Sequence, residues 1–410
     1  MRARLLITCI TLTALAGCTK PSPPVPQGSP AFFARHTAAM AKNPEGVTLE
    51  LRTETGRTTY HLYEAIPIQW IFRSAKLDGY QIEMDESMNP AGQENFFDID
   101  PVDGASTPWR FGSAHISSIC CESDRQSLKS TPVVFHRELT NFYRFAKSGT
   151  YSLYLTSHRV FCKGCQPDPA DESKISVTSN VLTLQILPDD PAWDSQQLAK
   201  AVATLDDPGV RTEYEELQTR ATKMRGVSEL AAFSIQNDEI PRSRLVRAQY
   251  DLNALDTTDA IHERVARFES KSPADEELSR TVTGYFGLPQ HVLQSSTRPD
   301  LVASAMLERA QKPDFGVDSV YVRVWADYLA RSRYPEDYFA QPLDAVPPQG
   351  PAAHGNAYFD ARDEIAKTLQ GLMGSKTKEA ASTTRATIKS VHEDQAYERA
   401  RSRDHVSPTH

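Results

Sequence analysis

The chain has 410 residues, an apolar share of 40% and a formal net charge of −8. That length leaves room for two or three domains with sizeable cores, and the mildly acidic balance argues against a general nucleic-acid binder. After residue 18 no apolar run is long enough to span a bilayer; the strongest, Ala65 to Phe72, is strand-sized.

Residues 1–17 have the layout of a secretory signal. Arg2 and Arg4 precede an apolar run from Leu5 to Leu15, which ends in Leu15-Ala16-Gly17-Cys18. This ending resembles the lipobox of bacterial lipoproteins. The resemblance implies cleavage between Gly17 and Cys18, a diacylglycerol thioether on Cys18 and acylation of the new amine. Three acyl chains anchor stably where a single one does not, so the membrane is an expected partner through lipid. Thr19 stands where an aspartate would resemble the inner-membrane retention signal, and that points to the outer membrane. The competing reading is an ordinary signal peptide with a chance cysteine.

Residues 18–43 carry Pro21, Pro23, Pro24, Pro26 and Pro30, which favour an extended, semi-rigid tether. A short helix is expected over Phe32 to Ala41. Residues 44–188 then alternate with the period of half-buried strands: Val47–Leu51, Ile66–Phe72, Tyr80–Met84, Val133–Phe135, Tyr151–Val160 and Val177–Ile186. Turn residues separate several of these runs, with no helix between them, which predicts an antiparallel β-sandwich. The segment Phe145 to Leu155 resembles the corner entering a late strand of immunoglobulin-like domains. By that resemblance, Gly149 makes the turn and Tyr151 folds its hydroxyl back onto the chain.

At Pro188-Asp189-Asp190-Pro191 the period changes, and Asp190 can cap a helix that starts at Pro191. Residues 189–340 read as an α-helical domain. Its expected helices are Pro191–Leu205, Val210–Met224, Ser228–Ile235, Arg242–Leu255, Thr258–Ser270, Ala274–Tyr285, Pro299–Lys312 and Asp318–Arg331. Short connections pair such helices antiparallel as a bundle or solenoid. The stretch Gly287 to Ala330 resembles HEAT-type repeats, and a sandwich followed by such helices is similar to uncharacterised secreted bacterial proteins. Residues 341–356 read as a linker, and 357–410 as a short helix, Tyr358–Leu372, with a polar tail.

Four cysteines outside the signal and the lipidated position fall in two pairs, Cys120-Cys121 and Cys162-Lys163-Gly164-Cys165. In an oxidising compartment they read as disulfides with three possible connectivities. Strain in a vicinal bridge favours Cys120 and Cys121 crossing to Cys162 and Cys165. Closing a loop of about 40 residues is worth roughly 3–4 kcal/mol on the chain-entropy argument. The Cys162–Cys165 spacing also matches thiol oxidoreductases, but no helix follows to activate a thiolate. Structural zinc is the third reading.

No metalloprotease helix, nucleophile elbow or phosphate loop occurs. His115, His136 and His158 stand alone in sequence and read as surface or satisfied core residues rather than a metal cluster. Asp98 to Gly104 resembles a calcium loop without its closing glutamate and reads as an aspartate-rich turn. Glu213 to Glu216 and Asp275 to Glu277 read as first-turn carboxylates that offset a helix dipole. Tyr321, Trp325 and Tyr328 have core spacing. No catalytic residue, metal or cofactor is expected. The expectation is a lipid-anchored envelope protein that binds or scaffolds, with a protein or envelope polymer as partner. An envelope enzyme of the thiol-redox or hydrolase type is the alternative.

Overall fold

The computed structural model describes residues 28–76, 79–84, 95–106, 125–162, 174–268, 278, 281–282, 296–316, 319–334 and 355–375, with single positions at 382, 385, 386, 389 and 393. It shows a β region followed by a helical region. The signal, the lipobox, the proline tether up to residue 27, His115 and the helix expected from Ala274 (save residues 278 and 281–282) lie outside the described residues.

The β region contains twelve strands among the described residues, grouped into sheets of three, seven and two. In the three-stranded sheet β1 (Val47–Thr53) and β8 (Val133–Glu138) flank β3 (Pro67–Ser74), all antiparallel. The larger sheet is organised on β10 (Gly149–Cys162), buried throughout Tyr151 to Leu155, with Tyr151, Leu153, Leu155 and Val160 in the core cluster. One edge of β10 carries β12 (Leu182–Ile186) and β11 (Lys174–Thr178); the other carries β5 (Asn95–Asp100) and β4 (Tyr80–Glu83). At the periphery, β7 (Arg125–Ser127) pairs β4, and β2 (Thr59–Tyr60) pairs β12 in parallel, so this sheet is mixed. The small sheet joins β6 (Ala105–Ser106) to β9 (Arg144–Phe145). Leu49, Leu51, Ile68, Trp70, Phe72 and Phe135 of the first sheet share one buried cluster with Ile82, Ile99, Leu153, Leu155, Val160 and Leu184 of the second.

Two expectations need correction here. The run Val177 to Ile186 is two strands, because the Ser179 and Asn180 side chains between them bond to the backbone of β10 and β1. The Ser179 hydroxyl accepts from the Leu155 amide at 3.0 Å. Asn180 brackets Leu51, accepting from its amide at 2.9 Å and donating to its carbonyl at 3.0 Å. Asp98 and Asp100 belong to strand β5, and only the residues after Asp100 turn. The Asp98 carboxylate takes a bidentate pair from Arg35 at 2.7 and 2.8 Å and a bond from Tyr154 Oη at 2.9 Å. A calcium-like sequence therefore serves a helix clamp.

That helix, α1 (Pro30–Met40), is capped by Ser29, which also reaches Asp100 through its amide at 2.7 Å. Phe32 is fully buried beside the Tyr154 ring, and Asn43 exchanges two hydrogen bonds with Thr178. The stretch assigned to a tether thus docks on the β region from Ser29 onward. At the turn into β10, Tyr151 Oη donates to the Lys147 carbonyl at 2.9 Å. Gly104 sits against that corner at φ +95°, where a Cβ would lie 2.7 Å from the Tyr151 hydroxyl.

The helical region opens with two Asp-Pro starts. Asp190 caps α2 (Pro191–Leu205) and Asp207 caps α3 (Pro208–Arg225), each accepting from two amides of the first turn. Because α3 begins at Pro208, Glu213 to Glu216 fall beyond its first turn, and Glu213 pairs instead with Arg244 at 3.4 Å. Helix α4 (Glu229–Ser234) runs into a π-helical turn, Ile235–Glu239, before α5 (Arg244–Ala254) and α6 (Thr258–Phe268). Helices α7 (Pro299–Ala310), α8 (Ser319–Arg333) and α9 (Gly355–Leu372) follow, α9 starting two residues inside the expected linker. Ala201, Leu205, Tyr214, Leu245 and Leu252 form one apolar cluster, which also takes in Ala65 of the β region. Tyr321, Trp325 and Tyr328 lie in a second cluster closed by Ala361 and Ile365 of α9. Their aromatic spacing is core packing.

Candidate functional site at the junction of sheets and helices

The chemistry-bearing side chains of the described residues concentrate where α5 and the π-helical turn meet β8 and the β2–β3 loop. Strand β8 ends in Glu138, an acid on an apolar strand whose side chain is wholly out of water. A carboxylate there needs donors, since an unpaired buried charge costs several kcal/mol. It has them. Arg247 of α5 donates at 3.0 Å, the Thr140 hydroxyl at 3.0 Å, and the Ile66 amide completes the set. Asn141 Nδ2 donates to the Val282 carbonyl at 2.8 Å, a second tie across the same seam.

Below it lies Asp256, in the turn between α5 and α6. It accepts from Arg264 Nη2 at 2.9 Å, Ser296 Oγ at 2.5 Å, the Thr297 amide at 2.6 Å and Thr297 Oγ1 at 2.7 Å. Burial alone would raise its pKa. Arg264, the two hydroxyl donors and Arg144 outweigh burial and hold the carboxyl below its ordinary range. Arg144 is itself buried, and that burial, with Arg264 nearby, lowers its pKa to about 10.

His61, Tyr63, Glu64, Arg144, Asp256 and Thr297 line a cavity of about 10 Å³, room for one water molecule. Tyr63 sits at φ 65°, a left-handed conformation that costs a non-glycine residue about 1–2 kcal/mol. This conformation lets its ring pack against both the sheet cluster and the first helical cluster. His61 stacks flat on Trp193 of α2, with ring centroids 4.4 Å apart.

Two further groups complete the junction. His136 of β8 is buried between Glu54 and Asp238, with a carboxylate beside each ring nitrogen. Asp251 of α5 has its pKa pushed up to about 6, first by burial and then by Glu138, with Arg247 partly countering.

Catalysis by proton transfer requires a base with a free face toward substrate. Glu138 and Asp256 turn their oxygens to donors of the chain, and both ring nitrogens of His136 face carboxylates. The cavity has no room for a substrate. Among the described residues no three His, Cys, Asp or Glu side chains converge as metal ligands, and no helix is long and apolar enough to cross a membrane. His158 packs its ring on Phe96 of β5.

Of the cysteines, Cys162 ends β10, packs against the sheet core and is disulfide-bonded. Cys18, Cys120, Cys121 and Cys165, with Gly17, lie outside the described residues. Sequence reasoning passed over Glu138, Arg247, Asp256 and Arg264. The usable signal was a charge on an apolar face: Glu138 closes Val133-Val134-Phe135, and Arg264 lies between Ile261 and Val265. Tyr63 carries no such mark. No protein-family model matches this chain, and a comparison with curated proteins finds no match.

Proposed function

We propose that this chain is a lipid-anchored cell-envelope protein that binds or scaffolds rather than catalyses. In this reading the β region is an immunoglobulin-like sandwich and the helical region is HEAT-like, together offering surfaces to a protein or envelope polymer. The anchoring half rests on Leu15-Ala16-Gly17-Cys18 and the proline-rich segment after it. Cys120, Cys121, Cys162 and Cys165 serve as staples of the β region. The outer membrane is the favoured address because Thr19 follows the lipidated position.

One observation carries the non-catalytic half. The buried Glu138–Arg247 pair and the Asn141–Val282 bond are spent on joining the two regions, and the cavity beside them has room for only a single water. Such a junction fixes the angle at which two surfaces are presented.

Metabolic labelling with an alkyne-palmitate tests the anchor. Label and membrane retention are expected for the natural chain, and both are lost in Cys18→Ser. Labelling that persists in Cys18→Ser overturns the anchor. Esterase, glycosidase, peptidase and dithiol-exchange assays on the membrane-purified chain test the second half. No turnover is expected; turnover abolished by one substitution in this chain overturns it.

A further inference from the structure

Glu54, His136, Asp238 and Arg242 form a ring of charge across the junction. His136 Nδ1 lies 3.0 Å from Glu54 Oε1, and its Nε2 lies 3.2 Å from Asp238 Oδ1. Arg242 reaches the same two oxygens, with Nε 3.0 Å from Glu54 and Nη1 2.8 Å from Asp238. Glu54 follows β1 and His136 is in β8, whereas Asp238 sits in the π-helical turn and Arg242 just beyond it. The imidazole therefore bridges the sheets and the helices, and its side chain is only 8% exposed.

A neutral imidazole carries one N–H and one lone pair. With an acceptor against each nitrogen, one contact is then a lone pair facing a carboxylate oxygen. The ring of four holds two carboxylates against one permanent guanidinium. A single proton taken up from solvent by His136 supplies the missing N–H and balances the charge.

The surrounding groups leave that account in place. Arg137, next on β8, donates to the His136 carbonyl at 2.7 Å and lies over the Trp70 and Phe135 rings. Gln69 of β3 opposes His136 in the sheet register. Arg247 of α5 acts on Glu54 from a distance but is bonded to Glu138. Glu239 is paired with Arg220. Phe233 of α4 meets Phe135 edge-on, an apolar contact without charge. The segment holding Asp238 is a π-helical turn, closed by the Ile240 amide on the Ile235 carbonyl at 2.9 Å. Such turns recur inside helices at functional sites.

We propose that His136 is an acid-operated latch: a proton on its ring ties β8 to the π-helical turn, and its loss loosens that seam and the angle between the two regions. Imidazole is the side chain suited to this, since its charge changes between about pH 5 and 8. The proposal goes beyond the binding role above and does not depend on the lipid anchor.

Hydrogen–deuterium exchange of the full chain tests it, read on the amides of Ile240 and Ser243 as protection factors at pH 5.5 and 8. Protection is expected to fall about five- to tenfold across that interval, the effect of one partly screened charge-assisted hydrogen bond. In His136→Gln, which keeps a donor and an acceptor but cannot titrate, the fall is expected to shrink to less than half, the remainder coming from Asp251 and Asp194, whose raised carboxyls also cost stability over this interval. Equal protection in the natural chain, or an undiminished fall in His136→Gln, overturns the latch. Should His136→Gln not fold, Asp238→Asn decides, because Asp238 is nearly half exposed. A fall cut to less than half supports the latch, and an unchanged fall overturns it.

Discussion

Asp194 and Asp256 are the same residue, and each is only 3% exposed, yet the two are driven in opposite directions. Asp256 is held below the ordinary carboxyl range, whereas Asp194 is pushed up to about 7. Burial is the largest influence on both, so burial does not separate them. Donors do. Asp256 closes α5 against four hydrogen-bond donors, one of them the Arg264 guanidinium. Asp194 sits in the first turn of α2 with no donor on either oxygen. Its charged neighbours are Asp189 and Asp190, whose carboxylates add to the effect of burial. The middle of the helical region is therefore fixed by an ionised hub, and its start carries a carboxylate that is easier to keep protonated.

The largest expected effect comes from breaking the satisfied hub. Asp256→Ala leaves Arg264 buried without its carboxylate and releases the Ser296–Thr297 segment that leads into α7. A loss of about 3–5 kcal/mol is expected, read from the midpoint of urea unfolding at pH 7. A loss below about 1 kcal/mol would show that the hub is incidental to stability. Thr297→Val is the milder version. It keeps shape and the backbone amide bond but removes one hydroxyl donor, with an expected cost of about 1–2 kcal/mol. With one of its donors gone, the Asp256 carboxyl should also move up toward its ordinary range, so acid unfolding of this variant should begin at higher pH than in the natural chain. An unchanged acid transition would mean that Arg264, Ser296 and the backbone amide hold the charge without the Thr297 hydroxyl.

How far this was legible from sequence follows from range. The Asp190-Pro191 start and the periods of α2, α7 and β1 are local, written in residues a few positions apart, and the elements stand where those residues put them. Strand β5 was misread because Asp98 and Asp100 look like turn residues until Arg35, 63 positions earlier, is seen on Asp98. Asn180 breaks an apparently continuous strand for a partner 129 positions away. The junction is harder still. Glu138 finds Arg247 across 109 positions and Asp256 finds Thr297 across 41, and one sequence offers no rule for choosing among 45 Lys and Arg residues. A charge on an apolar face announces that a partner exists, not which one.

Asp194→Asn tests the unsatisfied side and has the smallest expected effect, with its sign set by pH. The folded pKa of about 7 lies above the ordinary carboxyl value near 4, so the folded chain keeps a proton that the unfolded chain releases in between. The stability this confers is complete below about pH 4, erodes as pH rises and is gone once pH passes about 7. Asparagine is neutral throughout and can donate to Asp189. The variant should therefore match the natural chain below about pH 4, begin to exceed it by pH 5, and exceed it by about 1 kcal/mol at pH 8, the shift being discounted for screening. Asp251, raised to about 6, contributes the same sign in both proteins and cancels in the difference. An opposing influence makes the measurement informative. The N-terminal dipole of α2 favours an ionised Asp194 by about 0.3–1 kcal/mol. If Asp194→Asn is the less stable protein at pH 8, that dipole outweighs burial and the neighbouring carboxylates, and the contrast with Asp256 collapses into two differently stabilised anions. If it is the more stable, donor count separates these two aspartates, and the start of α2 is a place where this chain carries unfavourable charge above neutrality.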